Sequence, residues 1–215
     1  MIFTYELAKR IAPYMRSRGF KRKGKRFYYL LNAIAFCVGF EMPTNWVYTW
    51  AYILPLYRPS DFIPLDYGSR LGNMPSIMLP VLNKTAPDEE IADWCNLLCS
   101  RIEDTILPIF HSIDTPQKLS AYIEKGAEYR KLMSGSELNI EELRIYTHLY
   151  LKDYDKLRKA IDRYSRAMEN TPLMPHLRQQ KADWLREMQQ LCDSDEDTIN
   201  AYLDKAKEKT RKFFP

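Results

Sequence analysis

Seven basic side chains lie within eleven consecutive residues near the start of the chain, and they carry the clearest chemical signal in the sequence. Clustered cations beside aromatic rings can neutralise phosphates and stack on bases. They can equally speed encounter with an acidic protein and select it. A third interpretation is a solvated turn whose charges keep a sheet edge from aggregating. The set, with one neighbouring tyrosine, is predicted to bind a partner: Arg16, Arg18, Lys21, Arg22, Lys23, Lys25, Arg26 and Tyr28.

A second pattern is the alternation of large aromatic residues Trp46, Tyr48, Trp50 and Tyr52. Residues two apart on a β-strand share one face of the sheet, so these four rings are predicted to lie together. Such a face could bind a ligand by stacking, but it is more typical of a core face beneath a helix. If the rings were exposed, they would form a large apolar patch that requires a partner.

Other residue types with catalytic or metal-binding chemistry form no recognised motif. Cys95 and Cys99 are one helical turn apart, but no Cys or His pair elsewhere has the spacing of a structural zinc site. They are therefore predicted to be buried thiols. His111, His148 and His176 lie far apart in sequence, so a triad would have to assemble in space. The sequence predicts no catalytic residue, no metal site and no cofactor.

The elements that position these groups begin with an amphipathic helix over residues 3–18, which Gly19 is expected to end. Three runs rich in aromatic and β-branched residues then predict an antiparallel meander at 26–31, 33–40 and 46–54. A helix over 88–107 is expected to cover this three- to four-stranded sheet. Between them, the proline-rich residues 55–87 predict an irregular connection with one further short strand.

Beyond residue 107 the chain is predicted to be helical. Short helices are expected from Thr115 to Lys125 and around Tyr129 and Leu132, between Gly126 and Ser136. Longer helices are expected over 140–151 and 154–169, around Trp184, and after a cap at Ser194. The fold class is therefore α+β. It is divided near residue 126 into an α+β domain of residues 1–125 and a helical-hairpin domain of residues 126–215.

Charge separates the same two parts. Residues 1–87 carry 12 Lys or Arg against 4 Asp or Glu, whereas residues 88–215 carry 20 against 24. The first ten residues offer no continuous apolar stretch of a secretory signal, and the most apolar run, 46–56, is too short to span a bilayer. A cytoplasmic protein with no membrane association and with reduced cysteines is expected.

Residues 18–28, Arg-Gly-Phe-Lys-Arg-Lys-Gly-Lys-Arg-Phe-Tyr, follow the first helix and resemble the opening of an uncharacterised bacterial family, domain of unknown function 4304. The resemblance covers residues 4–125 and implies a helix, a glycine-containing turn and an aromatic strand, but no activity. It is compatible with an immunity protein encoded near a toxin gene. Residues 149–157 resemble the turn of a tetratricopeptide hairpin, within a helical pair at 140–170.

The sequence therefore predicts a non-enzymatic, cytoplasmic protein-binding module of bacterial immunity or regulatory type. The expected partner is a protein with an acidic surface. Two alternatives stay open: a nucleic-acid-binding protein that uses residues 16–26, and an enzyme with a site between the two predicted domains.

Overall fold

The computed structural model describes residues 2–61, 65, 67–74, 77, 79–125, 132–133 and 136–214. It confirms the α+β class: an N-terminal helix, an antiparallel sheet and a C-terminal helical region. The helices are α1 (Ile2–Ser17), α2 (Asp88–Arg101), α3 (Leu107–Ser112), α4 (Pro116–Ile123), α5 (Glu137–Leu151), α6 (Tyr154–Asn170), α7 (Pro175–Cys192) and α8 (Glu196–Arg211). The strands are β1 (Lys21–Lys23), β2 (Arg26–Leu31), β3 (Ile34–Glu41), β4 (Trp46–Pro55), β5 (Gly68–Arg70) and β6 (Leu82–Asn83).

Helix α1 ends where the sequence predicts. Gly19 has a φ of +82°, and the amides of Gly19 and Phe20 bond to the carbonyls of Arg16 and Met15. These two hydrogen bonds form a glycine-terminated helix end, after which the chain turns into β1.

Two-residue turns set the register of the first three strands. Gly24 and Lys25 join β1 to β2, with a φ of +63° at Gly24, and Lys23 faces Arg26. Asn32 and Ala33 join β2 to β3, and both have positive φ values. Positive φ at the two central residues matches the right-handed twist of the flanking strands. The meander is therefore fixed by its turns as well as by its side chains.

The sheet is wider than the expected three or four strands. Strand order is β1-β2-β3-β4-β5, with β6 paired to β4. Strand β1 consists of Lys21, Arg22 and Lys23, whose types do not favour strands; it pairs because the tight turn at Gly24 folds it onto β2. The short strands β5 and β6 come from the proline-rich connection, whose residues 62–64, 66, 75, 76 and 78 lie outside the described part.

The two faces of the sheet are both covered, but by different elements. The face that carries Phe36, Val38 and Ile53 packs with α1 and α2 into the main core. The opposite face carries Cys37 and Tyr52 and packs with Phe214, which follows α8. The segment after α8 thus packs on strands β2, β3 and β4, which lie far earlier in the sequence.

The helix predicted over 88–107 is longer. Helix α2 continues through a π-helical turn, Ile102–Ile106, into α3. Pro108 has no amide hydrogen and cannot complete the regular bond to the fourth residue before it. A π-helical turn next to Pro108 lets the helix continue past the proline.

The helical region differs from prediction at its caps. Helix α5 begins earlier than the predicted residue 140, directly after Ser136, whose hydroxyl accepts a bond from the amide of Asn139. Helix α8 is capped by Asp195 rather than Ser194, and the Asp195 carboxylate accepts from the amide of Thr198. The predicted boundary near residue 126 and most of the segment around Tyr129 fall outside the described residues.

Candidate binding site

The basic segment, residues 16–26, is arranged around the first hairpin. Arg16 lies in the last turn of α1, Lys21 and Lys23 are exposed on the edge strand β1, Lys25 occupies the turn and Arg26 opens β2. Lys21 and Lys23 are paired with Tyr28 and Arg26, so all four point to the sheet face opposite α1.

Two other cations of the segment are held by nearby oxygens. Arg18 pairs with Glu103 at 2.8 Å, and the hydroxyl of Tyr14 donates to the same carboxylate. Arg22 lies on the other side of β1, where its Nε donates to the carbonyl of Gly24 at 2.8 Å. Within the described part of the chain, Arg18 is the one member of the segment that pairs with a carboxylate. Most of the positive charge is therefore not neutralised internally.

The aromatic rings of this region are largely withdrawn from solvent. Phe20, Phe27 and Tyr28 are 3%, 0% and 4% exposed. Half-buried Tyr29 meets Phe20 edge-on and stacks on Phe36, with ring centroids 4.8 Å apart in each pair. Tyr28, which is predicted to contact a partner, is nearly fully buried and lines the cavity described below. These rings do not form an open stacking platform.

The end of α8 brings a second group of cations to the same place. The ammonium of Lys23 donates to the main-chain carbonyl of Phe213 at 3.2 Å, across 190 residues of sequence. The exposed Arg211 and Lys212 directly precede Phe213, and the Lys212 ammonium lies 5.5 Å from the Phe213 ring centroid. We call the combined surface the basic rim: Lys21, Lys23, Lys25, Arg26, Arg211 and Lys212.

Inside the basic rim lies a cavity of about 110 Å³ between the sheet and the segment after α8. Its floor is one row across three strands, because Tyr28 is registered with Cys37 and Cys37 with Tyr52. Phe214 closes it from above, with its ring centroid 5.2 Å from that of Tyr28. Its described lining is Lys23, Arg26, Phe27, Tyr28, Cys37, Tyr52, Phe213 and Phe214.

The polar groups on the cavity floor are neutral at physiological pH. Burial raises the pKa of Cys37 to about 12, so its sulfur is a thiol rather than a nucleophilic thiolate. Burial, and next the neighbouring Cys37, raise the pKa values of Tyr28 and Tyr52. The described lining contains neither a histidine nor a carboxylate. The cavity is therefore equipped for binding, and its charges come from Lys23 and Arg26.

Among the described residues no helix covers the aromatic face of β4, contrary to expectation. The alternate residues Val47, Ala51 and Ile53 face the helices instead. On the aromatic face, exposure falls along the strand from Trp46, 43% exposed, to Tyr52, 1% exposed.

Between those ends, Arg70 covers the face in place of a helix. Its guanidinium lies 4.2 Å from the ring centroid of Tyr48 and 5.2 Å from that of Trp50. Glu41 accepts bonds from both Arg70 and the Trp50 indole. The aromatic face is therefore partly covered by side chains of the same chain.

The remaining candidates do not assemble into one site. His111 and His176 are exposed, whereas His148 is buried with its Nε2 3.3 Å from the Glu124 carboxylate. Cys95 is buried and Cys99 half-buried, as expected of packed thiols. Within the described ranges no three His, Cys, Asp or Glu side chains are placed to hold a metal ion.

Sequence reasoning found the rim residues of β1 and β2 but missed the contribution of Arg211, Lys212, Phe213 and Phe214. It also missed the joint role of Cys37 and Tyr52. Cys37 and Tyr52 are paired through the four-residue connection 42–45 between β3 and β4, and the length of such a connection helps to set which residues stand side by side.

Family models, curated proteins and solved structures provide no match to the chain. The two resemblances noted in the sequence therefore stay predictions. Among the described helices, none combines the length and apolar character that crossing a bilayer requires.

Proposed function

We propose that the protein is a binding module that docks an acidic protein partner on the basic rim. The observation that carries the proposal is the meeting of two basic segments, one at β1 and one after α8, through the bond from Lys23 to Phe213. Concentrated positive charge raises the rate of encounter with an acidic surface and disfavours basic partners.

Protection of a sheet edge is an insufficient explanation for this surface. Charges on Lys21 and Lys23 would by themselves keep the edge strand β1 from pairing with another chain. Arg211 and Lys212 do not belong to the sheet, and Arg26 lies on β2, inside that edge. The charge therefore extends over a surface larger than the edge it would have to protect.

The buried rings favour a protein over a single-stranded nucleic acid. Sequence-tolerant binding of single strands relies on bases stacking on exposed aromatic side chains. Phe20, Phe27 and Tyr28 are unavailable for that contact, since each is nearly fully buried. The basic rim could therefore contact only the phosphates of a nucleic acid. The carboxylates of an acidic protein can make the same contacts equally well.

The class that we propose for this protein is a bacterial immunity or regulatory protein. It would work in the cytoplasm and without catalysis of its own. The described lining of the cavity supports a binding role, because it offers no group that exchanges a proton near neutral pH.

The test is a cross-linking pull-down from the source cell with three forms of the full chain. The rim variant carries Lys21→Glu, Lys25→Glu and Arg211→Glu, none of which lines the cavity. The control carries Lys84→Glu, Lys125→Glu and Lys159→Glu, which change the same charge at exposed positions elsewhere.

We expect an acidic protein that binds the wild type and the control equally and the rim variant roughly tenfold more weakly or worse. Its affinity should fall as salt is raised. Recovery of a protein that binds all three forms alike would contradict the proposal. Recovery of RNA or DNA alone would replace the proposal with the nucleic-acid alternative.

A further inference from the structure

The cavity within the basic rim contains a buried hydroxyl that has no nitrogen or oxygen partner among the described residues. The Tyr52 side chain is 1% exposed, and the one polar group its hydroxyl meets there is the Cys37 thiol. A thiol is a weak hydrogen-bonding group. Because buried hydroxyls normally have a strong hydrogen-bond partner, this weakly satisfied hydroxyl calls for an explanation. A ligand atom in the cavity would supply one.

A cation stands beside this hydroxyl. Arg26 occupies the neighbouring row of the same sheet face, where it is paired with Gly39. A Cβ atom at Gly39 would lie 3.2 Å from Cγ of Arg26, so the glycine makes room for the arginine stem to lie across the sheet. The positive charge of Arg26 acts on both Cys37 and Tyr52. No carboxylate of the described residues pairs with Arg26.

The remaining walls are apolar. Phe213 and Phe214 cover the space with their rings, and Lys23 stands at its edge with its ammonium on the Phe213 carbonyl. The volume of about 110 Å³ is below that of most ligand pockets and somewhat below an apolar cavity of roughly 150 Å³ that takes up benzene. An occupant must therefore be compact and carry a single small polar group.

We propose that this cavity binds a small monocarboxylate with a compact apolar body, a branched short-chain acid. One carboxylate oxygen accepts a hydrogen bond from the Tyr52 hydroxyl, and the charge is balanced by Arg26. The apolar body packs between the phenylalanine rings. The phenol and thiol of the floor are neutral and do not repel the anion.

An inorganic oxyanion fits this site less well than a carboxylate. A phosphate is strongly hydrated and would be surrounded on several sides by apolar rings that replace none of its hydrogen bonds. The monocarboxylate places its charged end against Arg26 and its apolar end against Phe213 and Phe214. The inference goes beyond the proposed protein docking, because the rim residues Lys21, Lys25 and Arg211 take no part in it.

The experiment is a titration of the full chain with isobutyrate, followed by nuclear magnetic resonance of the aromatic side chains and by calorimetry. Isobutyl alcohol and isobutyramide serve as neutral probes of similar size, and inorganic phosphate as an anion without an apolar body. Saturable binding of isobutyrate is expected, with the neutral probes about tenfold weaker or more, since hydrogen bonds to charged groups are stronger than those to neutral groups. Phosphate should bind more weakly still.

Two variants test the assigned residues. Arg26→Gln and Tyr52→Phe should each weaken isobutyrate binding about tenfold, whereas Arg16→Gln, the same change at an exposed position outside the cavity, should leave it unaltered. Thermal unfolding of each variant verifies the fold. Cys37→Leu serves as an independent variant, because the larger side chain fills the space and should abolish binding while the protein stays folded.

The proposal is overturned if no carboxylate binds at millimolar concentration. It is equally overturned if acid and neutral probes bind alike, or if binding survives both Arg26→Gln and Cys37→Leu. The rim variant with Lys21→Glu, Lys25→Glu and Arg211→Glu separates this result from the docking proposal. It should lose the protein partner and keep the carboxylate.

Discussion

The ring of Tyr57, just beyond β4, lies flat on the ring of Tyr150 in α5, with their centroids 4.4 Å apart. The Tyr57 side chain is fully buried among residues of the helical region, and its hydroxyl is 3.2 Å from that of Thr147. The next residue, Arg58, forms a largely buried ion pair with Glu142 at 2.8 Å. The connection leaving the sheet is thus part of the core of the helices.

The first prediction is that the sheet and the helical region unfold together. Replacement of Tyr57 by Ala should lower the free energy of unfolding by about 3–5 kcal/mol, the range for large buried aromatic side chains. Urea denaturation should be followed in two single-tryptophan forms, one keeping Trp94 beside the sheet and one keeping Trp184 in α7. Both reporters should show the same midpoint, in wild type and in the Tyr57→Ala variant. Separate midpoints in the wild type would show that the two regions fold independently.

The second prediction concerns the backbone at Ala33, whose φ is +68°. An L-residue with a side chain is disfavoured there by roughly 1–2 kcal/mol, and glycine is not. Ala33→Gly should therefore raise the free energy of unfolding by about 1 kcal/mol, measured in urea. The matched control is Ala92→Gly on the exposed side of α2, which should lower stability by about 0.5–1 kcal/mol. Destabilisation by both changes would show that the turn is not strained at Ala33.

The third prediction is a pH dependence from His148. Burial lowers the pKa of His148, and the bond to Glu124 only partly offsets this effect. Charges of Asp153 and Lys156 also face the ring, with opposite influence. An unfolded histidine has a pKa of about 6.5, so below that pH the unfolded chain binds a proton that the folded chain resists. Stability should therefore decline as pH falls from about 6.5, until the folded ring is itself protonated.

His148→Gln should reduce this decline, and the comparison is made by urea denaturation between about pH 5 and pH 8. His176→Gln, at an exposed position of α7, is the control and should preserve it. Equal slopes in His148→Gln and wild type would contradict the assignment. Titration of the His148 ring by nuclear magnetic resonance gives the direction of its pKa shift directly.

The fourth prediction uses Cys37 as a reporter of the cavity. Burial raises the pKa of Cys37 to about 12 and that of Cys99 to about 11, so both are thiols at neutral pH. Because Cys37 is buried and Cys99 only half-buried, Cys37 should react with maleimide much more slowly. Phe214→Ala removes the ring that closes the cavity and should accelerate labelling of Cys37 but not of Cys99. Mass spectrometry of the labelled peptides distinguishes the two sites. Rapid labelling of Cys37 in the wild type would show that the cavity is already open.

Much of the fold could be predicted because local patterns and tertiary packing agree. The aromatic and β-branched runs of β2, β3 and β4 are strands, and the periodic stripe of α6, with Leu157, Ile161 and Tyr164, is buried as expected. Strand β1 was missed because Lys-Arg-Lys has no strand character, and it pairs only because the turn at Gly24 holds it against β2.

The candidate site could be predicted only in part, for a different reason. The cations of residues 16–26 are adjacent in sequence, so composition reveals them. The groups that complete the site lie 190 residues away, as the Lys23–Phe213 bond shows, and no local pattern links segments so distant. The sequence predicts that the aromatic face of β4 lies beneath a helix. It gives no indication that Arg70 and Phe214 cover this face instead.

The two-residue turn at Asn32 and Ala33 determines which side chains of β3 line the cavity. Successive strand residues point to opposite sides of a sheet, so one inserted residue in this turn, with the strand shifted by one position, would turn β3 over. Phe36 and Val38 would then replace Cys37 on the floor, and the thiol would be buried against α1. A single strand register therefore decides which residues of β3 line the cavity and which pack in the main core. A change of loop length at this hairpin would exchange the two sets.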